Sequence, residues 1–387
     1  MIALGHQVAI WNEHALTNTP GQATEGELGG ARFEYVLGTT KRGYGFAAII
    51  LKLRAVYAIV FRLATLPRAH RPDIIMLNST ALYDALPITL WAKMHGTRTI
   101  QCYEDERMEV VSQERLGFAR RLYGWNAWLS DQLCSQMADT IIVISTYLKA
   151  KYDTLTGNPD RVVILPTIID CDNWYIPPEP TQSKLTVLYT GALTEHDEVE
   201  NIVDALALLK QEGYCFNFKI IGADPALPRT RALQQLITVR DMMDCVSISG
   251  HLSHEHVKQE IRNANILVAL RRDSLWARSG QSTKLSEYLA SARCVLTTPV
   301  GDNAIYLRDR ENALFVDPRC RVDDITKVLR LAFDSPELRS RVAIAGRETA
   351  RKLFDLSIGE NLLRDIFNKT VEAGAAVRQS KNEALKP

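Results

Sequence analysis

Short β-branched runs alternate with longer helical patterns along almost the whole chain, and that rhythm permits few folds. Strand–helix–strand repeats build parallel sheets covered by helices, so the chain reads as an α/β protein. In the first half HQVAIW, RFEYVL, DIIMLN, TRTIQCY, DTIIVIS and RVVILP are expected strands. The rhythm breaks at CDNWYIPPEPTQSK, Cys171 to Lys184, where three prolines and little periodicity mark an interdomain linker. It restarts with KLTVLYTG, FNFKIIG, CVSISG, NILVAL, RCVLTTP and NALFVDP, separated by helical stretches such as VENIVDALALLKQEG and SHEHVKQEIRNA. The expected organisation is a Rossmann-like domain over residues 1–172, a linker over 173–184, a second such domain over 185–360, and a C-terminal helix with a frayed tail over 361–387.

Two doubly wound domains facing a cleft hold their ligands at the carboxyl ends of the strands. The candidates are therefore Asn78, Ser79 and Thr80, Tyr103 to Glu106, and Ser145 with Thr146 in the first domain. In the second they are Gly191, Gly222, Gly250, Arg271 with Arg272, and Thr297 to Gly301. Lys+Arg at 46 against Asp+Glu at 45 leaves a net charge of +1, so no broad basic field is present to hold a nucleic acid, and any anion must be met locally. The seven cysteines are scattered and form no CxxC pair, which points to neither a disulfide framework nor a zinc site and fits a reducing cytoplasm. No secretory signal pattern opens the sequence.

GYGFAAIILKLRAVYAIVFRLATL, Gly43 to Leu66, is the most apolar stretch, but Lys52, Arg54 and Arg62 interrupt it well short of the about 18 apolar residues of a spanning helix. Two readings stay open: a half-buried core helix, or an amphipathic helix lying on an anionic membrane surface through residues 44–71. Three weaker patterns have ordinary explanations. HLSHEH lacks HExxH spacing, and Ser253 capping the next helix accounts for it. GYGFAA matches GxGxxA, but Asn78 stands where a dinucleotide site needs an acid, and Ser145 lacks a GxSxG context.

The most informative segment is RRDSLWARSGQSTKLSEYLASARCVLTTPVGDN, Arg271 to Asn303. A strand ends at the arginines, a Gly/Ser loop containing Ser279 follows, and a helix opens after Ser282 near Thr283. Lys284 falls in its first turn and Glu287 one turn later. A helix N-terminus with a lysine is a seat for a diphosphate, and Glu287 is placed to accept hydrogen bonds from sugar or ribose hydroxyls. A capped surface helix with both side chains in solvent is the alternative.

TKLSEYLASARCVLTTPVGD followed by YLRDRENALFVDP resembles the nucleotide-sugar-binding half of the retaining glycosyltransferase family 4, which has the GT-B fold. ADTIIVISTYLKAKY, RVVILPTIID and LTVLYTGAL are similar to the family's segments at the end of the first domain, the entry to the linker and the first strand of the second domain. The resemblance implies a nucleotide diphosphate sugar bound mainly by the second domain, an acceptor bound by the first, and no cofactor or metal. It matches Glu287 to the second acid of a motif of two glutamates separated by seven residues, with Ser279 in place of the first. The family's Arg and Lys after the first strand of the second domain are replaced by Ala192 and by His196 or Asp197, so Arg271 and Arg272 are the expected substitutes facing the diphosphate.

By the same resemblance, an acceptor hydroxyl attacks on the donor's front face with retention, and no enzymic carboxylate nucleophile is required. Apart from the resemblance, the acidic cluster Glu104, Asp105 and Glu106 follows the strand TRTIQCY, a position from which Glu104 and Glu106 are candidates to orient the acceptor or act as base. Helix N-terminal acids favoured by the dipole are the plainer reading of that cluster. The implied acceptor is a glycan or lipid-linked molecule in cell-surface polysaccharide assembly at the inner face of the membrane. A nucleotide-sugar 2-epimerase and a degenerate binding protein are the rivals. Relatives open with a strand, a glycine-rich turn and a helix before the segment similar to ALGHQV, so the first domain is expected to lack its first βα unit, about 20–30 residues, and the central strand with it.

Overall fold

The computed structural model describes residues 1–2, 5–13, 23–41, 45–78, 81–106, 118–175, 177, 184–194 and 196–384. Ser79, Thr80, Tyr44 and most of the expected linker lie outside the described residues. The chain divides into two compact units. One comprises Met1–Ile144, Leu148–Leu165 and the residues from Glu360 onward; the other comprises Ser145–Tyr147 and Pro166–Gly359.

The first unit contains β1 (Ala9–Asn12), β2 (Glu25–Leu28), β3 (Ala31–Tyr35), α1 (Gly45–Thr65), β4 (Ile74–Leu77), α2 (Leu82–His95), β5 (Arg98–Tyr103), α3 (Phe118–Met137), β6 (Thr140–Val143), most of α4 (Thr146–Thr156) and β7 (Val162–Ile164). Every strand expected here from the sequence forms, and β2 is an addition. It is antiparallel to β3, and its EGEL sequence carries no β-branched residue that would have marked it. The strands make two sheets, β1-β3-β2 and the parallel β4-β5-β6-β7, and no described strand joins β1 to β4. They share a core in which Val36, Leu77, Ala55, Ile59, Leu63, Ile88, Trp91 and Ala92 pack together. On β5 and β6, Ile100, Cys102 and Ile142 are covered by Ile366 and Phe367.

The second unit holds α5 (Cys171–Trp174), β8 (Leu185–Thr190), α6 (Val199–Gln211), β9 (Phe216–Ile221), α7 (Pro228–Val239), β10 (Val246–Ser249), α8 (His254–Asn263), β11 (Ile266–Ala269), α9 (Leu275–Ser279), α10 (Thr283–Ala290), β12 (Cys294–Thr297), α11 (Asn303–Tyr306), β13 (Leu314–Phe315), α12 (Val322–Asp334), α13 (Pro336–Leu353) and the start of α14 (Leu356–Ala384). Its six strands run in the order β10-β9-β8-β11-β12-β13, all parallel. A parallel sheet is buried on both faces, which is why its inner strands β8, β11 and β12 read as nearly continuous apolar runs, whereas β9 and the edge strand β10 alternate. Alternation along β8 shows it: Val187 and Tyr189 join one core with Ile202, Leu206, Phe218 and Leu329, while Leu188 joins the other with Leu267, Leu285, Tyr288 and Val295. The fold is α/β with Rossmann-like parallel sheets, as the strand–helix rhythm requires.

Candidate functional site

Strand order places the site. From β8 the chain moves outward to β9 and β10, then returns to the other flank of β8 with β11 and continues to β12 and β13. The reversal lies between β8 and β11, and the loops leaving such a switch point diverge to form a crevice. They are the segments after Thr190 and after Ala269.

The turn after β8 depends on two glycines. Gly191 has φ +140°, and a Cβ there would lie 3.0 Å from Lys284 Nζ and 3.2 Å from the Tyr189 hydroxyl. Gly222, at φ +94°, presses so close that its Cβ would meet the Gly191 carbonyl oxygen at 2.9 Å. Backbone therefore packs on backbone, and the space kept by Gly191 is taken by the Lys284 side chain.

Lys284 lies in the first turn of α10, whose preceding residue, Ser282, is buried and gives no side-chain cap. Its ammonium donates to Asp197 Oδ1 at 2.7 Å and to the Tyr189 hydroxyl at 3.2 Å, and stands 4.3 Å from that ring's centre. Asp197 Oδ2 also accepts from the Thr194 N–H at 3.2 Å and from the Thr194 hydroxyl. Burial raises the Asp197 carboxyl, but Lys284 and Thr194 outweigh it and hold the group below the usual carboxylate range. Burial pulls the Lys284 ammonium down, with Asp197 opposing and Arg271 adding to the effect.

Arg271 completes the cluster. It is half-buried, its guanidinium lies 4.3 Å from the centre of the Trp276 ring, and Trp276 stacks on His196 at 4.8 Å. The Thr298 hydroxyl fixes the backbone here, accepting from the Arg271 N–H at 3.2 Å and donating to the Arg271 carbonyl at 2.7 Å. Burial lowers the Arg271 pKa, and the nearby Asp197 opposes. Two cations and one acid thus occupy the switch point, leaving one positive charge in excess.

Glu287, one helical turn beyond Lys284, has its carboxyl pKa pushed up to about 7 by burial, with Lys258 and Lys284 opposing. Thr283 is exposed at the helix start. Ser279 is fully buried in α9, and its carbonyl accepts from the Ser145 hydroxyl at 2.5 Å. The Thr146 N–H donates to Asp302 Oδ2 at 3.0 Å, so Ser145 and Thr146, expected in the first domain, belong to the second unit and are hydrogen-bonded within it. A cavity of about 380 Å³ opens beside them, lined by Asp273, Arg278 and the Pro299–Asp302 turn.

Other expected residues fall elsewhere. Arg272, more than half exposed, is engaged by Glu198 at 2.8 Å rather than gathered with Lys284. Gly250 follows β10, the edge strand two places from β8, and its carbonyl accepts from the Gly222 N–H at 3.1 Å, so it meets the cluster through the glycine that packs on Gly191. In the first unit Glu104 is exposed. Glu106 is buried, and its Oε2 accepts from Lys151 at 2.7 Å; Lys151 also meets Asp131 at 2.7 Å, and Asp131 accepts from the Tyr152 hydroxyl at 2.9 Å. That carboxylate is engaged in a network internal to its own unit. Ser253 caps α8, accepting from the His256 N–H. The sequence reading missed Tyr189 and Trp276, and it took Asp197 only as one register of an absent lysine; the aromatic four residues past Arg272 was the available signal.

Comparisons with known proteins bear on the family and the fold. Residues 1–167 match the glycosyl transferase 4-like domain, and residues 176–349 match the glycosyl transferases group 1 family. The chain is 27% identical over 305 residues to an alpha-D-kanosaminyltransferase of Streptomyces kanamyceticus, covering 78% of this chain and 69% of that one. It is 30% identical over 111 residues to the amylovoran biosynthesis glycosyltransferase AmsK of Erwinia amylovora, which covers 29% of this chain and 26% of AmsK. Among solved structures, sucrose-phosphate synthase from Thermosynechococcus elongatus superposes with a TM-score of 0.77 at 16% identity, covering 96% of this chain and 91% of that one. HepE from Anabaena in complex with UDP superposes with a TM-score of 0.64 at 12% identity, over 81% and 82% of the two chains. With its two halves matching these two domain families in order, the chain belongs to the GT-B glycosyltransferases.

Proposed function

We propose that this glycosyltransferase moves a hexose-type sugar from a nucleotide diphosphate sugar to a hydroxyl of a glycan or lipid-linked acceptor, with retention at the anomeric carbon. The observation that carries the reading is the convergence of Lys284 and Arg271 at the switch point of the second unit's sheet, with Glu287 one turn along α10. In this reading the two cations meet the diphosphate, and Glu287 accepts from ribose hydroxyls. HepE of Anabaena is described with UDP and with UDP-glucose, which makes uridine donors the first to test.

The acceptor oxygen bonds to the anomeric carbon on the face from which the phosphate departs. The acceptor proton passes to the leaving phosphate oxygen, so no enzymic nucleophile is required. Negative charge on that phosphate grows as the bond breaks, and the excess positive charge beside Gly191 stabilises it. Glu104, exposed after β5, remains the candidate to orient the acceptor. A role in cell-surface polysaccharide assembly at the inner membrane face is proposed with it; the Erwinia relative is named for amylovoran biosynthesis.

A second reading, a donor-binding protein without turnover, is favoured by one observation: Asp197, an acid, already occupies Lys284. Incubation with a panel of nucleotide diphosphate sugars, reading melting temperature and product by NMR, tests both. Stabilisation with transfer and a retained anomeric configuration supports the first reading; stabilisation without transfer to any acceptor supports the second; no stabilisation overturns both.

A further inference from the structure

We propose that the outer face of helices α1, α2 and α3 docks the first unit onto an anionic lipid surface. The proposal deepens the membrane setting proposed above, but its observations and its test do not depend on sugar transfer. Helix α2 packs between α1 and α3, so the three form one layer. The inner side of α1 is Ala55, Ile59 and Leu63, buried against Ile88 and Trp91 of α2. Its opposite side repeats apolar residues every fourth position, Ile49, Leu53, Tyr57 and Phe61, and these are exposed, Tyr57 by 72% and Phe61 by 57%. Leu90 and Met94 of α2 and Trp125 and Trp128 of α3 are exposed as well, Met94 by 74% and Trp125 by 60%. Large apolar side chains presented by three neighbouring helices call for a partner.

Charge identifies that partner. The only acids in the three helices are Asp84 and Asp131, and both are buried. Arg54, on the exposed side of α1, Lys93 beside Met94, and Arg68 just past α1 are exposed. A surface of aliphatic and aromatic side chains carrying cations and no exposed acid is complementary to lipid headgroups of negative charge, with tyrosine and tryptophan at the headgroup level. No described helix is long and apolar enough to cross a membrane, so docking is peripheral. Of the cations the sequence suggested, Arg54 and Arg68 are exposed, whereas Arg62 is engaged by Glu34 at 2.6 Å and Lys52 is half-buried with its ammonium 5.9 Å from the centre of the Tyr83 ring.

Flotation of the full chain with vesicles of phosphatidylcholine, alone or mixed with phosphatidylglycerol, tests the assignment. The protein is expected to float with the mixed vesicles, to bind neutral ones weakly, and to be released by salt. Arg54→Glu with Lys93→Glu should lower the partition at least tenfold, each cation contributing about fivefold, and Tyr57→Ser with Phe61→Ser should lower it comparably. Arg319→Glu, an exposed change in the other unit, should not. All positions are exposed, and unchanged circular dichroism and melting temperature verify that the variants fold. Equal binding to both vesicle types, or insensitivity to both double variants, overturns the proposal. So does a stable dimer that Tyr57→Ser with Phe61→Ser dissociates, because a second copy of the chain would then cover the face.

Discussion

Lys284 and Asp197 form a largely buried ion pair, 2.7 Å from Nζ to Oδ1, at the point where the sheet of the second unit reverses its strand order. The loop that enters α6 supplies an acid there, and helix α10 supplies the cation. An anionic ligand must share Lys284 with Asp197 or displace it. In the proposed reading the pair would couple the order of that loop to donor binding.

Replacing Asp197 by Asn should expose that coupling. Without its partner, a buried ammonium is left poorly compensated, at a cost of about 2–4 kcal/mol. A nucleoside diphosphate restores a counter-charge, so the melting-temperature rise on adding UDP should be larger in Asp197→Asn than in the unaltered protein. Equal shifts in the two proteins would place the diphosphate away from Lys284.

Arg271→Ala should lower kcat by about 10²–10³ with a smaller change in donor affinity, because charge on the leaving phosphate grows in the transition state. Arg272→Ala serves as its comparison. Arg272 is more than half exposed, but its loss leaves the buried Glu198 carboxylate with Asn201 as its remaining side-chain donor, so a loss of about 1–3 kcal/mol of stability is expected with turnover retained. Steady-state kinetics on the two variants separates the neighbours.

Glu287 ties stability to pH. Its folded pKa of about 7 lies above its ordinary 4.5, so the stability associated with the protonated form is fully present below about pH 4.5 and is lost as pH rises through 7. In full, that shift amounts to about 3 kcal/mol, and solvent screening at this partly exposed site makes it less. Glu13, raised to about 7 by burial and by Asp84, adds a similar loss from the first unit. Urea denaturation between pH 5 and 8 should show a shallower decline for Glu287→Gln, leaving the Glu13 component. The same substitution should weaken UDP binding, most of all above pH 7, where the native carboxylate accepts hydroxyl hydrogens.

Gly191→Ala should be more damaging than an alanine introduced at an exposed turn. The new methyl falls 3.0 Å from the Lys284 ammonium in a backbone conformation that suits glycine. A loss of about 1–3 kcal/mol in stability and weakened UDP binding are expected together, read by denaturation and calorimetry.

Glu106→Gln should act on stability alone. It leaves Lys151 paired with Asp131 but replaces a charged acceptor with a neutral one in a buried network, at about 1–3 kcal/mol. A fall in kcat without loss of melting temperature would instead return Glu106 to the acceptor site.

Local pattern was enough to mark the strands of the parallel sheets: β8, β11 and β12, buried on both faces, are apolar along most of their length, and β9 alternates apolar residues with Asn217 and Lys219. The start of α10 after Ser282, and the positions of Lys284 and Glu287 within its first turns, follow from helical geometry alone. Strand order is different in kind. Nothing local to LTVLYT or NILVAL states that β8 and β11 pair, yet that pairing makes the loops of Gly191 and Arg271 neighbours and leaves Gly250 two strands away. Long-range packing also decided between adjacent residues that look equivalent in sequence: Arg271 lies over Trp276 near Asp197, whereas Arg272 is held by Glu198. Likewise the stretch around Tyr57 is an amphipathic helix by periodicity, but which side of it faces solvent depended on α2 packing against Ala55, Ile59 and Leu63. Periodicity is a property of consecutive residues and can be read along the chain; the meeting of Lys284 with Asp197 depends on residues 87 apart and exists only once the sheet has closed around β8.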